Sequence, residues 1–296
     1  MLFRQVAGPD GVRHRERIHG TPGPRWFGPD AAIVRVHGDA AMFVGGIRAV
    51  LLQTLHPAAM TAVAEHSGYR GDMWGRLART SRYLATTTFG TIDHAERTIA
   101  AVRAVHARVT GQLPDGSAYA ASDPHLLGWV HVAEIESFLL AHQLYGARPL
   151  DQAGCDAYVD ETGQVAARLG VVDPPRTEAE MRAVMAGYRP ELRGTDHARE
   201  AVDYLIRHPE LPLMARPAYR GLVAAAVALL PRLARAELGL PDFPLVDRTL
   251  GRALGRAGTT VIRWAMTAGQ AHAGELARGR PGGVRGIPRS AGETST

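Results

Sequence analysis

The sequence predicts an all-α chain built as a single multi-helix domain, on three observations. Apolar residues recur at helical spacing in run after run. The runs open at Asp or Thr and close at Gly or Pro, as helix ends do. Alternating strand patterns are scarce, and no Asn-Gly pair marks a hairpin. A chain of 296 residues with 46% hydrophobic content can bury one large core. About eight to ten helices are expected, with no solenoid-like repeat.

Residues 1–28 carry turn formers, "GPDG" and "GTPGPRWFGPD", and are expected to form an irregular arm. The helical domain is assigned to residues 29–279. Its first run, "DAAIVRVHGDAAMFVGGIRAVLLQTL", holds Gly38, Gly45 and Gly46, which should let another element approach closely. His56-Pro57 stops it, and Pro57 can open the next helix. Asp93 with Glu96 resembles a capping box for a helix running on to "PDG" at 114–116. Asp123-Pro124 opens "PHLLGWVHVAEIESFLLAHQLYG", closed by Gly146. Asp151 caps the next run, closed by Gly170, and Thr177 with Glu180 caps another. Helical runs follow in "DHAREAVDYLIRH", from Pro217 to Leu240, and in "VDRTLGRALGRAGTTVIRWAMTA". Residues 280–296 have the composition of a disordered tail.

Composition narrows the chemistry. Net charge is +5, yet all 34 basic residues are arginine and most are scattered, so nucleic acid is not an expected partner. Without lysine there is no Schiff base, lysine base or lysine metal ligand. The single Cys155 permits no intramolecular disulfide and reads as a packing residue. "MLFRQVAGPDGVRHRERIHG" lacks the apolar centre of a signal peptide, and no run reaches the ~18 apolar residues of a membrane span. A cytoplasmic protein is expected.

HExxH, P-loop, GxSxG, CxxC and paired Glu-x-x-His motifs are all missing. The histidines are more informative. Ile99, Val102, His106, Val109 and Leu113 alternate steps of three and four, so His106 shares an apolar stripe. A histidine there is either a core residue bonded to a carbonyl or a metal or haem ligand. In "WGRLARTSRYLATTTFG", Met73, Leu77, Thr80 and Leu84 form a second stripe, with Arg76 one turn before Thr80 on its rim. Arg76 is then either paired with a carboxylate of a neighbouring helix or the anchor of a ligand's anion. His131, His56 and the pair Glu65-His66 are weaker candidates: His131 reads first as a core residue, His56 as part of the kink before Pro57, and Glu65 as either a general base or a solvated carboxylate.

These stretches carry a resemblance. "LLQTLHPAAMTAVAEHSGY", "RLARTSRYLATTTFG", "VRAVHARVTG" and "YAASDPHLLGWVH" are similar to the haem-dependent oxygenases that include latex-clearing protein, a rubber oxygenase, and the MpaB oxygenase. The similarity runs from about Ala31 to Gly170. It implies a globin-like helical core and a haem b whose iron is held by His106, with His131 a further cofactor-binding candidate. The family's Arg-x-x-x-Thr falls on Arg76 and Thr80, and a catalytic glutamate is matched loosely by Glu65. A distal lysine of latex-clearing proteins falls on Arg79, which stays protonated and cannot ligate iron. The distal side and its reaction should therefore differ.

Two readings follow. The first is a haem-dependent oxygenase or oxidase taking O₂ and a hydrophobic small molecule, with a soluble intracellular metabolite preferred over polymeric rubber. The second is a cofactor-free helical binding protein for an apolar ligand or a protein partner. A homodimer is left open. Because no lysine exists, an amine-acylating reagent should leave the absorption spectrum and any turnover unchanged. A spectrum that moves on acylation would show that the N-terminal amine reaches the site.

Overall fold

The computed structural model describes residues 10–66, 69–207 and 211–278. The expected disordered tail, 280–296, lies outside the described residues. The helices are α1 (Gly11–Gly20), α2 (Ala32–His37), α3 (Met42–Gln53), α4 (Pro57–His66), α5 (Tyr69–Phe89) and α6 (Ile92–His106). A short antiparallel hairpin follows, β1 (Thr110–Gln112) and β2 (Ala118–Ala120). Then come α7 (Pro124–Tyr145), α8 (Gln152–Leu169), α9 (Glu178–Gly187), α10 (Asp196–Arg207), α11 (Arg216–Ala228) and α12 (Arg232–Glu237). A π-helical turn at Asp247–Gly251 leads into α13 (Arg252–Arg278). The all-α class holds.

Local chemistry sets the helix ends. Asp123 accepts a hydrogen bond from the backbone N–H of His125, Asp151 from Gly154 and Thr177 from Glu180, each satisfying a free donor of the first turn. Gly170 ends α8 at φ 125°, a conformation that glycine adopts without a Cβ penalty.

Several expectations are corrected. The cap of α6 is Thr91, not Asp93. α6 stops at His106, because the chain turns at Asp115-Gly116 into a hairpin, with Thr110 opposite Ala120. The first apolar run breaks at Gly38 into α2 and α3, and the run from Pro217 breaks before Pro231 into α11 and α12. Part of the arm expected to be irregular is helical. α1 buries Ile18, and His14 Nε2 lies 3.1 Å from Thr86 Oγ1 on α5.

α7 is the central element. Apolar residues surround it on all sides, as expected of a helix enclosed by others. α3 packs against it most extensively. Gly45 makes that approach possible: a Cβ there would come within 2.8 Å of the Phe138 ring and 3.1 Å of the Ser137 carbonyl oxygen. One turn on, the buried Arg48 donates to both carboxylate oxygens of Glu136, to Ser137 Oγ at 2.7 Å and to the Leu229 carbonyl at 3.0 Å. α3, α7 and the end of α11 are thus tied at one point. Leu51, Leu52, Leu55, Trp129 and Val132 fill the core beside it, each worth roughly 2 kcal/mol of burial.

Removing one partner of a buried ion pair leaves an uncompensated charge. Arg48→Ala should lower stability by about 3–5 kcal/mol, read as a fall in urea midpoint with little change in slope. The double variant Arg48→Met with Glu136→Leu, which removes both charges and keeps the volume, should cost far less. Equal losses in both variants would show that packing volume, not charge, holds the seam.

Candidate active site

α5 and α6 form an antiparallel helical hairpin, joined by Gly90 and Thr91. That arrangement sets Arg76, early on α5, across from His106 at the end of α6. Arg76 is half-buried, and burial first, then the charge of Arg79, lowers its guanidinium to about 10. Among the described residues, the one charge that perturbs it is a second cation. His106 is also half-buried, and its Nδ1 is enclosed with no hydrogen-bond partner. Burial and then the nearby Arg76 hold its imidazole below the ordinary value, so it is mainly neutral at pH 7.

Seven residues beyond Arg76, about 10 Å along α5, Tyr83 lies against the α7–α8 side. Tyr83, Leu84, Ile99, Ile135, Phe138 and Tyr158 belong to one apolar cluster drawn from α5, α6, α7 and α8. Within it sits the carboxyl of Glu134. Burial pushes this group up to about 7, with no hydrogen bond or cation among the described residues to offset it. Burial and then the Glu134 charge raise the hydroxyls of Tyr83 and Tyr158, which therefore stay protonated. His131, one turn earlier on α7, is buried with an unpartnered Nε2, and burial lowers it to about 4. His37 closes this level, with Nδ1 at 2.8 Å from Thr88 Oγ1 and Nε2 at 3.2 Å from the Tyr158 hydroxyl.

The candidates named from sequence do not all meet. Arg76 and His106 come together, and His131 lies on the α7 face that carries Glu134. Thr80 and Arg79 are exposed, so Thr80 does not share the cover of Leu77 and Leu84 on either side of it. Glu65, at the end of α4, accepts the Tyr119 hydroxyl of β2 at 2.5 Å and has His66 Nε2 at 3.9 Å. His56 faces Glu191, away from these groups in sequence and partner. Cys155 is buried, and burial with nearby carboxylates raises its thiol, as a packing residue requires. Glu134 and Tyr83 were not among the candidates named from sequence. The signal was present: Glu134 follows His131 by one turn on a largely apolar helix.

Arg76, the imidazoles of His106 and His131, and the Glu134 carboxyl are thus enclosed or half-enclosed on α5, α6 and α7. Residues 34–264 match the model of the family described as "ER-bound oxygenase mpaB/B'/Rubber oxygenase, catalytic domain", and the chain belongs to that family. No curated protein and no solved structure matches the chain significantly. Among the described residues, no helix is long and apolar enough to cross a membrane.

The pH dependence of stability should expose Glu134. Its folded value is about 7 against an ordinary 4.5, so the folded state keeps a proton that the unfolded chain releases. This contribution is complete below pH 4.5 and is lost as pH rises to about 7. His131 acts in the opposite sense: its folded value of about 4 against 6.5 costs stability as pH falls from 6.5 to 4. Glu134→Gln should remove the first loss alone. Its urea-derived stability relative to the parent should rise by roughly 3 kcal/mol between pH 4.5 and pH 8. A constant difference across that range would show that the carboxyl ionises freely.

Proposed function

We propose that the chain is a haem b-dependent oxygenase or oxidase of a hydrophobic small molecule, with His106 as the iron ligand. The observation that carries this reading is the Arg76–His106 pair. A half-buried cation whose one charged influence among the described residues is another cation acts on an imidazole whose Nδ1 has no partner. A single ligand can satisfy both by bringing an anion to Arg76 and a Lewis acid to His106. Haem b fits that demand through its propionates and its iron. When bound, it would supply the iron on which O₂ is activated.

The residues divide the remaining work. His106, held neutral, keeps a lone pair available for the metal. Arg76 fixes a carboxylate with its planar fork and is too basic to lose its charge. Arg79 and Thr80 continue along α5 and supply a permanent charge and a hydroxyl donor; Arg79 cannot serve as a ligand. Glu134, poised at about 7, can hold or release a proton at its carboxyl oxygen near neutral pH. Tyr83, kept protonated, offers a hydroxyl beside it. Leu84, Ile99, Ile135 and Phe138 supply an apolar wall that excludes water and suits a hydrophobic substrate. His131 is the second imidazole of the site and the alternative ligand. Glu65 enters as a proton acceptor whose action requires the Tyr119 hydroxyl to let go. The proposal places the enzyme in the cytoplasm and its substrate among soluble metabolites.

The test is haem retention by full-length protein from cells fed a haem precursor. His106→Ala should keep its helical circular dichroism and lose most of its Soret absorption. Arg76→Ala should retain haem about tenfold less tightly or worse, since charge-assisted bonds are worth about 1.5–3 kcal/mol. Normal haem in His106→Ala with loss in His131→Ala would transfer the ligand role to His131. No Soret band in the parent protein would favour a cofactor-free binding protein.

A further inference from the structure

On another side of α7, three segments distant in sequence converge. His56 precedes Pro57 at the junction of α3 and α4, His125 lies in the first turn of α7, and Glu191 ends the turn Arg189–Glu191 after α9. His56 Nε2 is 3.3 Å from Glu191 Oε2. His125 Nε2 is 3.0 Å from Oε1 and 2.9 Å from Oε2 of the same carboxylate. One donor atom from each of the three lies within 4.8 Å of the others. We propose that His56, His125 and Glu191 form a binding site for a divalent transition-metal ion of the zinc class, separate from the proposed haem site.

The geometry suits such an ion. Zinc bound at about 2.0–2.2 Å to tetrahedral ligands needs ligand atoms about 3.4 Å apart. The Nε2–oxygen separations are 2.9–3.3 Å, so those pairs need to open by only a few tenths of an ångström, and the two imidazole donors lie within 4.8 Å of each other. Two imidazoles and a carboxylate are also a recognised donor set for open, three-ligand zinc and iron sites.

The ligands are held in place before any ion arrives. The His125 N–H donates to the Asp123 carboxylate at 2.9 Å, and its carbonyl accepts the Tyr188 hydroxyl at 2.8 Å. Its ring lies against Tyr188 with centroids 4.7 Å apart. The His56 ring rests near Trp129, and Arg193 N–H donates to the Leu55 carbonyl at 2.9 Å, tying the chain after Glu191 to the turn before His56. Access is available as well. His125 is more than half exposed, and a cleft of about 280 Å³ opens beside it between Pro124, Gly128, Pro174 and Tyr188. A fourth ligand, water or a small anion, can reach the ion from that side.

The experiment is a calorimetric titration of chelator-treated full-length protein with Zn²⁺ alone, repeated with Co²⁺ for its visible absorption. The parent should bind one equivalent, with cobalt bands of tetrahedral or five-coordinate intensity. His125→Ala and Glu191→Gln, each verified as folded by circular dichroism, should bind at least ~10-fold more weakly. His106→Ala and the exposed His197→Ala should bind like the parent, which separates this site from the proposed haem site. No binding by the parent, or equal binding by His125→Ala and Glu191→Gln, would overturn the proposal and leave a hydrogen-bonded clasp. Loss of binding in His106→Ala alone would also overturn it. The heat reads zinc binding with or without haem, and the cobalt bands are read as a difference against the same protein without cobalt.

Discussion

The guanidinium of Arg48 holds the seam between α3 and α7, and the orientation of the rest of the molecule depends on it. Its fork takes the carboxylate of Glu136, its neighbour Ser137 and the carbonyl of Leu229. Gly45 lets the two helices approach close enough for those bonds to form. With α7 pinned at Glu136, the His131–Glu134 face must turn toward α5, α6 and α8, where the Glu134 charge is felt by Tyr83 and Tyr158. The opposite contrast is instructive. Glu136 is fully paired by a buried arginine, while Glu134, two residues earlier, has no such partner and is forced up to about 7.

That contrast separates paired from unpaired charge in this fold. Paired buried charges such as Arg48–Glu136 and Arg235 with Asp242 and Asp247 hold elements together. Arg76, Glu134, and the enclosed nitrogens of His106 and His131 are different. Each costs desolvation that no described neighbour repays. A folded chain that keeps several such groups on neighbouring faces bears a stability loss with no structural return. Departures of that kind are expected where a site must bind something.

Much of the scaffold was legible in the sequence because its determinants are local. Asp123, Asp151 and Thr177 cap the helices they precede, and Gly45 marks a close helix approach. The stretch from Val109 to Ala120 was misread for the same kind of reason. The apolar spacing of Val109 and Leu113 continued the helical stripe, while the turn chemistry of Asp115-Gly116 in fact takes the chain into a hairpin. Periodicity found His106 and the Arg76 rim. It overstated the cover of Thr80, because a stripe three and four residues apart says which side a residue takes and not how far its neighbours reach. The His56–His125–Glu191 convergence was out of reach. It joins segments 66 and 135 residues apart, and only the packing of α3, α7 and α9 brings them together.

The central claim is that the interior facing α5, α6 and α7 is a haem site. The most direct measurement is the haem b content of the purified full-length parent, taken as its pyridine haemochrome and set against the protein concentration. The account predicts haem b stoichiometric with the chain. Folded protein that remains colourless after reconstitution with excess haemin would contradict it.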